Sequence, residues 1–276
     1  MRFYYTVENP AKTMGMSRSR TRWVAPISFI SNFSAQLYGI LSSPNMKEIH
    51  DANLSFWSPQ PYLIAAIFFP QQLLQLVWLY RLLKLDPKKN FEQEKEIEPL
   101  MEYLPYYCIG NFCIAIWMIF WNQSDLKIAN IFVLVNGFIQ LYYVFGRLSP
   151  MDRSSPSSIL THLVTKTFAG IGFIDILHNS SVAYFDHQGP DTAVKIVTGV
   201  GFSALATRSD WIFGGCLVYD LIALSVGQRG IGEAKWGDLL AFYALGTALI
   251  VVIRNIMRPN QKPIEYIRID GSTQGS

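Results

Sequence analysis

The chain is poor in charge: of its 276 residues, 16% are charged, whereas half are hydrophobic. Soluble domains usually carry about 25% charged residues, so this composition is typical of a membrane protein. The net charge is only +3, and the basic residues occur in short clusters between apolar blocks. This distribution excludes an extended basic surface, and we therefore expect no nucleic-acid partner.

Cysteines are few, and the pattern of a signal peptide is lacking. The three cysteines, Cys108, Cys113 and Cys216, lie in apolar blocks without the spacing of a disulfide framework or a zinc site. The first 22 residues contain five basic side chains but no apolar core, so they do not have the pattern of a cleavable signal peptide. We expect residues 1–22 to be a cytoplasmic segment, followed by an apolar block that acts as a signal anchor.

Motifs of catalysis are missing as well. The sequence contains no Gly-x-Ser-x-Gly elbow, no Gly-x-x-x-x-Gly-Lys phosphate loop and no helix with metal-spaced histidines. We therefore predict that the protein is not an enzyme and that it needs no cofactor and no metal. His178, Asp186 and His187, with Asp175, are expected at the outer rim, where exposed loop positions are favoured over a metal site.

Long apolar runs are the main feature of the sequence. About 20 helical residues cross a bilayer core of about 30 Å. Runs of that order predict an all-α, polytopic transmembrane helical bundle over residues 23–253, with about eight spans. The run at 192–206 is short and contains Lys195, so seven spans remain if it does not cross. The predicted spans are 23–41, 61–80, 103–121, 128–145, 157–177, 192–206, 211–227 and 236–253.

The distribution of basic residues orients these spans. With a cytoplasmic N-terminus, seventeen lysines and arginines lie in cytoplasmic segments and four on the other side. This bias follows the positive-inside rule and predicts that residues 254–276 form a flexible cytoplasmic tail. The longest linker, 81–102, has mixed charge and is predicted to form a solvated surface helix. In the outer loops, Asn53 and Asn179 begin glycosylation acceptor patterns, whereas Asn122 lies too near a span end.

A proline and three glutamines interrupt the second apolar run. Pro70 lies about 13 Å inside this span, near the midplane, where it removes a helical hydrogen bond and predicts a kink. Gln71 and Gln75 are four residues apart and share one helix face, and Gln72 adjoins them. Because lipid cannot satisfy these groups, we expect this face to point into the protein.

Other polar residues lie at a similar depth in their spans. Lys166 and Asp220 are expected to form an ion pair within the membrane, with His162 one helical turn before Lys166. The amides are interpreted as contacts between helices rather than ligand contacts, whereas buried charges favour a functional site. The candidate ligand or transport pocket comprises Asn32, Gln71, Gln72, Gln75, Asn111, Asn136, His162, Lys166 and Asp220.

Two resemblances rest on short motifs. Residues 58–62 read SPQPY and residues 68–72 read FFPQQ, and the segment 209–228 follows more loosely. In these motifs the chain resembles an uncharacterised family of fungal multi-pass membrane proteins, which implies no known activity. More distantly, Trp57 and Trp78 with their neighbours resemble tryptophan-rich sensory, or translocator, proteins over about residues 55–145. Those proteins are five-helix bundles associated with tetrapyrrole and sterol binding, and the resemblance implies only a similar fold.

Three functional hypotheses follow. The favoured one is binding or transport of a small molecule or lipid through a polar pocket at mid-membrane depth, with the bilayer and an apolar small molecule or ion as partners. The alternative is a non-catalytic structural or receptor-like membrane protein, and a membrane-embedded enzyme is less favoured. Glu8 among the N-terminal arginines argues against a mitochondrial presequence. We therefore expect the endoplasmic reticulum, another endomembrane or the plasma membrane.

Overall fold

The fold is helical throughout the part of the chain that the structure describes. The computed structural model describes residues 22–86 and 89–257, and within these ranges it contains nine α-helices and no strand. The predicted all-α bundle is therefore confirmed. Of the predicted N-terminal segment only Arg22 belongs to the described residues, and the predicted tail lies outside them from residue 258 onward.

The nine helices are numbered α1 to α9 in chain order. A π-helical turn, Tyr143–Arg147, directly continues α5. The helices are α1 Val24–Leu41, α2 Met46–Ala52, α3 Pro61–Lys84, α4 Phe91–Asn122, α5 Leu126–Tyr142, α6 Pro156–Tyr184, α7 Thr192–Ala206, α8 Trp211–Gly230 and α9 Ala234–Met257.

Side-chain caps fix where most of these helices begin. An Asn, Asp or Ser side chain accepts a hydrogen bond from a backbone N–H of the first turn, which would otherwise lack a partner. In α2 the capping residue Asn45 and Glu48 bond reciprocally, so that helix begins with a capping box. The capping residues are Asn45, Asn90, Asp125, Ser155, Asp191 and Asp210.

Seven helices in the described ranges are long and apolar enough to cross a membrane: α1, α3, α4, α5 with its π turn, α6, α8 and α9. They correspond to seven of the predicted spans, and they fit an integral, multi-pass membrane protein. Large apolar side chains such as Ile30, Leu73 and Leu245 are at least 60% exposed on the outside of the bundle. Contact with lipid tails is favourable for such apolar side chains, whereas exposure to water is unfavourable.

The eighth predicted span is the short helix α7. Its 15 residues rise about 22 Å, less than the bilayer core requires. Near its start, the Lys195 carbonyl accepts from Tyr243 Oη (3.1 Å), and just past its end the Thr207 carbonyl accepts from Arg254 Nε (3.0 Å). Because Tyr243 and Arg254 are eleven residues apart on α9, α7 runs beside α9 in the same direction. Along α7 the chain therefore runs back in the direction of α9 before α8 begins.

The mixed-charge linker differs from the prediction. The helix α4 begins at Phe91 and continues without interruption into the predicted span, so residues 91–102 are not a separate surface helix. Arg81 Nη2 lies 2.8 Å from Glu96 Oε2, and Lys95 Nζ lies 3.5 Å from Asp152 Oδ2. These pairs hold the first turns of α4 against α3 and against the loop before α6.

Three apolar clusters form the core of the described part of the chain. One packs α1, α3 and α4 around aromatic side chains, one packs α6, α7, α8 and α9, and a smaller one joins α2, α4, α5 and α6. In the first cluster the rings of Trp78 and Tyr107 are 4.7 Å apart, and those of Tyr103 and Tyr143 are 5.0 Å apart. The helix α6 also packs against α3, α4 and α5, and it therefore joins the two halves of the bundle.

Candidate functional site

All nine residues of the predicted pocket are buried. Their exposed fractions range from 0% for Gln75, Asn111 and Asn136 to 8% for Lys166. The expectation that these polar side chains point inward is confirmed, because a polar group facing hydrocarbon would lack a partner. The structure does not bring all nine residues together. Seven of them fall into two groups with different bonding, Gln72 adjoins the first group through a bond from its Nε2 to Gln71 Oε1 (3.4 Å), and Asn136 lies apart from both.

The first group, which we call the amide cluster, consists of Asn32, Gln71, Gln75, Tyr107 and Asn111 on α1, α3 and α4. Asn32 Nδ2 donates to Asn111 Oδ1 (2.8 Å), and Asn111 Nδ2 donates to the Tyr107 carbonyl (2.9 Å). Tyr107 Oη donates to Gln75 Oε1 (2.8 Å), and Gln75 Nε2 donates to Gln71 Oε1. Most polar atoms of this cluster bond within it, as expected of side chains that join helices.

Two further polar links cross the same half of the bundle. Tyr103 Oη donates to Gln140 Oε1 (2.8 Å), and Gln140 Nε2 donates to the Tyr106 carbonyl (3.0 Å). Trp78 Nε1 donates to Thr161 Oγ1 (3.1 Å) and ties α3 to α6. Sequence reasoning missed these links. Its one available signal was that Gln140 follows Asn136 by four residues and thus shares its helix face.

Asn136 differs from the amide cluster. It is fully buried, yet neither its Oδ1 nor its Nδ2 has a hydrogen-bond partner among the described residues. A Cβ atom at Gly110 would lie 2.8 Å from Asn136 Oδ1, and one at Gly172 would lie 3.7 Å from Asn136 Nδ2. The amide therefore lies where α4, α5 and α6 approach each other, with unused capacity to donate and accept.

The second group, which we call the ionic region, consists of His162, Lys166, Asp175, Asp210 and Asp220. In it Lys166 Nζ lies 2.5 Å from Asp210 Oδ2 and 2.7 Å from His162 Nδ1. The predicted pair between Lys166 and Asp220 is therefore wrong. The expected proximity of His162 to Lys166 is confirmed.

The wrong partner follows from the different depths at which α6 and α8 begin. Lys166 lies ten residues into α6, a rise of about 15 Å. Asp210 caps the start of α8 and meets Lys166 there, so α8 begins well above the start of α6. Asp220 lies ten residues further along α8, about 15 Å beyond Asp210. Counting residues from each span end assumed a common starting depth, and that assumption failed.

Within the described ranges, Asp220 is a buried carboxylate with an unpartnered oxygen. It is 1% exposed, and its Oδ2 has no hydrogen-bond partner among the described residues. The helices α6 and α8 run in the same direction and touch where a Cβ at Gly170 would lie 2.4 Å from Cys216 Cβ. Asp175 lies five residues beyond Gly170 and Asp220 four beyond Cys216, so the two carboxylates are at nearly equal depth.

The expected outer rim does not assemble. Asp175 belongs to the ionic region, and His178 is buried with its Nε2 3.1 Å from His50 Nδ1 on α2. Burial lowers the pKa of His50 to about 4, because desolvation disfavours the charged ring. Asp186 and His187 pair with each other at 3.3 Å on the surface. Among the described residues no group of three or more metal-ligating side chains is present.

The two predicted glycosylation acceptors lie in different environments. Asn179 is 1% exposed within α6, where its Oδ1 accepts from Trp117 Nε1 (2.7 Å) and its Nδ2 donates to the Asp175 carbonyl (2.9 Å). The predicted glycosylation of Asn179 is therefore wrong, because α6 extends to Tyr184 and keeps this residue in the bundle. Asn53 is half-buried just after α2, and its glycosylation remains a prediction.

The chain matches no protein-family model, no curated protein and no solved structure. The resemblances to fungal membrane proteins and to tryptophan-rich sensory proteins therefore remain predictions.

Proposed function

We propose that the protein binds and carries a small solute at mid-membrane depth, with Asp220 as the principal contact. The observation that carries this proposal is the free Oδ2 of Asp220, a buried carboxylate oxygen without a hydrogen-bond partner in the described chain. Ionisable groups within membrane helices are costly and usually serve ion or substrate pathways. Lys166, the nearest candidate counter-ion in sequence reasoning, is already engaged by Asp210.

The chemistry of Asp220 defines the solute class. An ionised carboxylate only accepts hydrogen bonds, so its partner supplies either a positive charge or a hydrogen-bond donor. Asp175 adds a second carboxylate at the same depth, which strengthens the preference for a cation. A small cation or a cationic solute fits this combination.

Monovalent cations test the proposal in purified protein. We expect Na⁺, K⁺ or methylammonium, compared at constant ionic strength, to raise the unfolding temperature of the wild type, because binding stabilises the folded state. Asp220→Asn removes the charge but keeps the shape, so it should abolish this increase. The same cations are then assayed for flux in liposomes containing the protein. Binding without flux indicates a receptor, and the proposal fails if wild type and variant respond equally in both assays.

A structural role is the second candidate. The amide cluster favours it, because most of its side-chain atoms bond to one another and need no ligand. In a purely structural protein, neither a thermal shift nor flux would depend on Asp220.

We further propose that the protein resides in an endomembrane or the plasma membrane. The seven helices in the described ranges that are long and apolar enough to cross a membrane support a membrane location. Imaging of a tagged full-length copy with organelle markers tests it, and a mitochondrial pattern would overturn it.

A further inference from the structure

A second candidate binding site lies at the cytoplasmic end of α3. A cavity of about 240 Å³ opens between the end of α3 and the start of α4. It is smaller than the pockets of about 300–1,000 Å³ that hold drug-sized ligands, so a small chemical group fits it better than a large molecule. The cavity is lined by Tyr80, Arg81, Lys84, Leu85, Lys89 and Gln93.

The lining is rich in positive charge. Arg81 donates from Nη2 to Glu96 (2.8 Å) and from Nε to Ser157 (3.1 Å), which fixes the guanidinium and balances its charge. Lys84 and Lys89 form no ion pair within the described ranges. The cavity therefore presents two lysines that form no ion pair within the described ranges beside an immobilised arginine, an arrangement that attracts an anion.

The end of α3 would ordinarily oppose an anion, because unpaired carbonyl groups make a helix C-terminus electronegative. Here Arg22 Nη1 donates to the Leu82 carbonyl at 3.2 Å and to the Leu85 carbonyl at 2.5 Å. This contact satisfies two carbonyls of the last turn and adds a positive charge beside them. The electrostatic potential at the cavity is therefore more favourable to an anion than it would be at a helix end without this arginine.

The surroundings place the cavity at the boundary between bilayer and cytoplasm. Tyr80 is 60% exposed, and Lys84 Nζ lies 5.1 Å from the centre of its ring. Tyrosine and lysine at the end of a membrane helix are typical of the interfacial layer, and the basic residues of this segment indicate the cytoplasmic side. In this layer, basic pockets between helices meet the headgroups of anionic lipids.

We propose that this cavity binds a phosphate group presented at the cytoplasmic face of the membrane. Lys84 and Lys89 supply charged donors, and charge-assisted hydrogen bonds to phosphate are stronger than neutral ones. Gln93 Oε1 accepts from the Asp86 backbone N–H (2.9 Å), which leaves the Gln93 Nε2 group as a further donor at the cavity. Either a phospholipid headgroup or free inorganic phosphate carries the required chemistry.

The test measures binding of dioleoyl phosphatidic acid and of inorganic phosphate to the purified full-length protein in neutral detergent by native mass spectrometry. Lys84→Gln combined with Lys89→Gln should weaken binding by about tenfold or more, because two charge-assisted contacts are lost. Arg153→Gln combined with Arg208→Gln is the matched control, since it removes two exposed charges from the same side outside the cavity. The control should change binding by less than about twofold.

Each outcome decides the proposal. Lysine-dependent binding of phosphatidic acid alone supports the site and identifies a lipid headgroup, whereas lysine-dependent binding of inorganic phosphate supports the site with a soluble ligand. Equal weakening in both double variants shows attraction to overall charge and overturns the site, as does the absence of binding in both arms. Lys84→Arg combined with Lys89→Arg should retain binding, which separates lost charge from altered folding. None of these measurements depends on solute flux through the bundle.

Discussion

Asp220 in the ionic region and the side chains of the amide cluster are all at most 3% exposed, but they are bonded differently. Among α1, α3 and α4, the Asn32 and Gln75 side chains find partners on neighbouring helices. Between α6 and α8, Lys166 is paired, but Asp220, one of two acids at matched depth, keeps a free oxygen. Burial alone therefore does not distinguish packing from function. The satisfaction of each buried group is the more informative property.

The amide cluster and Asp220 also differ in their contribution to stability. Amides between membrane helices contribute about 0.6 kcal/mol each in measured cases, so the cluster contributes modestly and need not bind anything. An unpartnered buried carboxylate lowers the stability of the fold. Its presence is therefore better explained by a function than by packing. This contrast leads to the following predictions.

The largest effect is expected from breaking the ion pair of Lys166. Lys166→Met should destabilise the protein by about 3 kcal/mol, since it leaves Asp210 partly buried without its partner. Adding Asp210→Asn should restore much of this loss, because asparagine still caps α8. Adding Asp220→Asn to Lys166→Met should not. The unfolding free energies of Lys166→Met and of the two double variants test this prediction. If Asp220→Asn restores stability instead, Lys166 pairs with Asp220.

A smaller effect is expected where α6 meets α8. A Cβ at Gly170 would lie 2.4 Å from Cys216 Cβ, so Gly170→Ala should push the helices apart and cost about 2 kcal/mol. A Cβ at Gly215 would meet nothing within 4 Å, so Gly215→Ala is the matched control and should be neutral or slightly stabilising. Thermal unfolding in detergent compares the two variants. Equal melting temperatures would mean that the approach of α6 to α8 is looser than described.

The smallest effect separates two buried asparagines. Asn111→Ala removes the bond to Asn32, whereas Asn136→Ala removes no hydrogen bond seen in the described chain. Both changes delete the same atoms, so Asn111→Ala should be more destabilising by about 1 kcal/mol. Denaturant titration in mixed micelles measures the difference. If Asn136→Ala is the more damaging change, its amide has a structural partner.

Much of the fold could be predicted from the sequence, because the length of each apolar run and the positions of the basic residues can be read from short stretches of the chain. The start of α8 at Trp211 was predicted correctly, and α9 differs from the predicted span by two residues at its start and four at its end. The start of α4 was missed, since charged residues between 91 and 102 extend a helix as readily as they end one. The partner of Lys166 and the contact between His50 and His178 were also missed. Such pairs join distant segments, and their geometry depends on where each helix begins.

The most direct test of the central claim measures stability and flux together in Asp220→Asn. Because the change removes an unpartnered buried charge, the unfolding free energy should stay within about 1 kcal/mol of the wild type or rise. Cation flux in liposomes should fall by about tenfold or more if Asp220 serves solute binding. A marked loss of stability with unchanged flux would contradict the account, because it would show that Asp220 is a packing residue like those of the amide cluster.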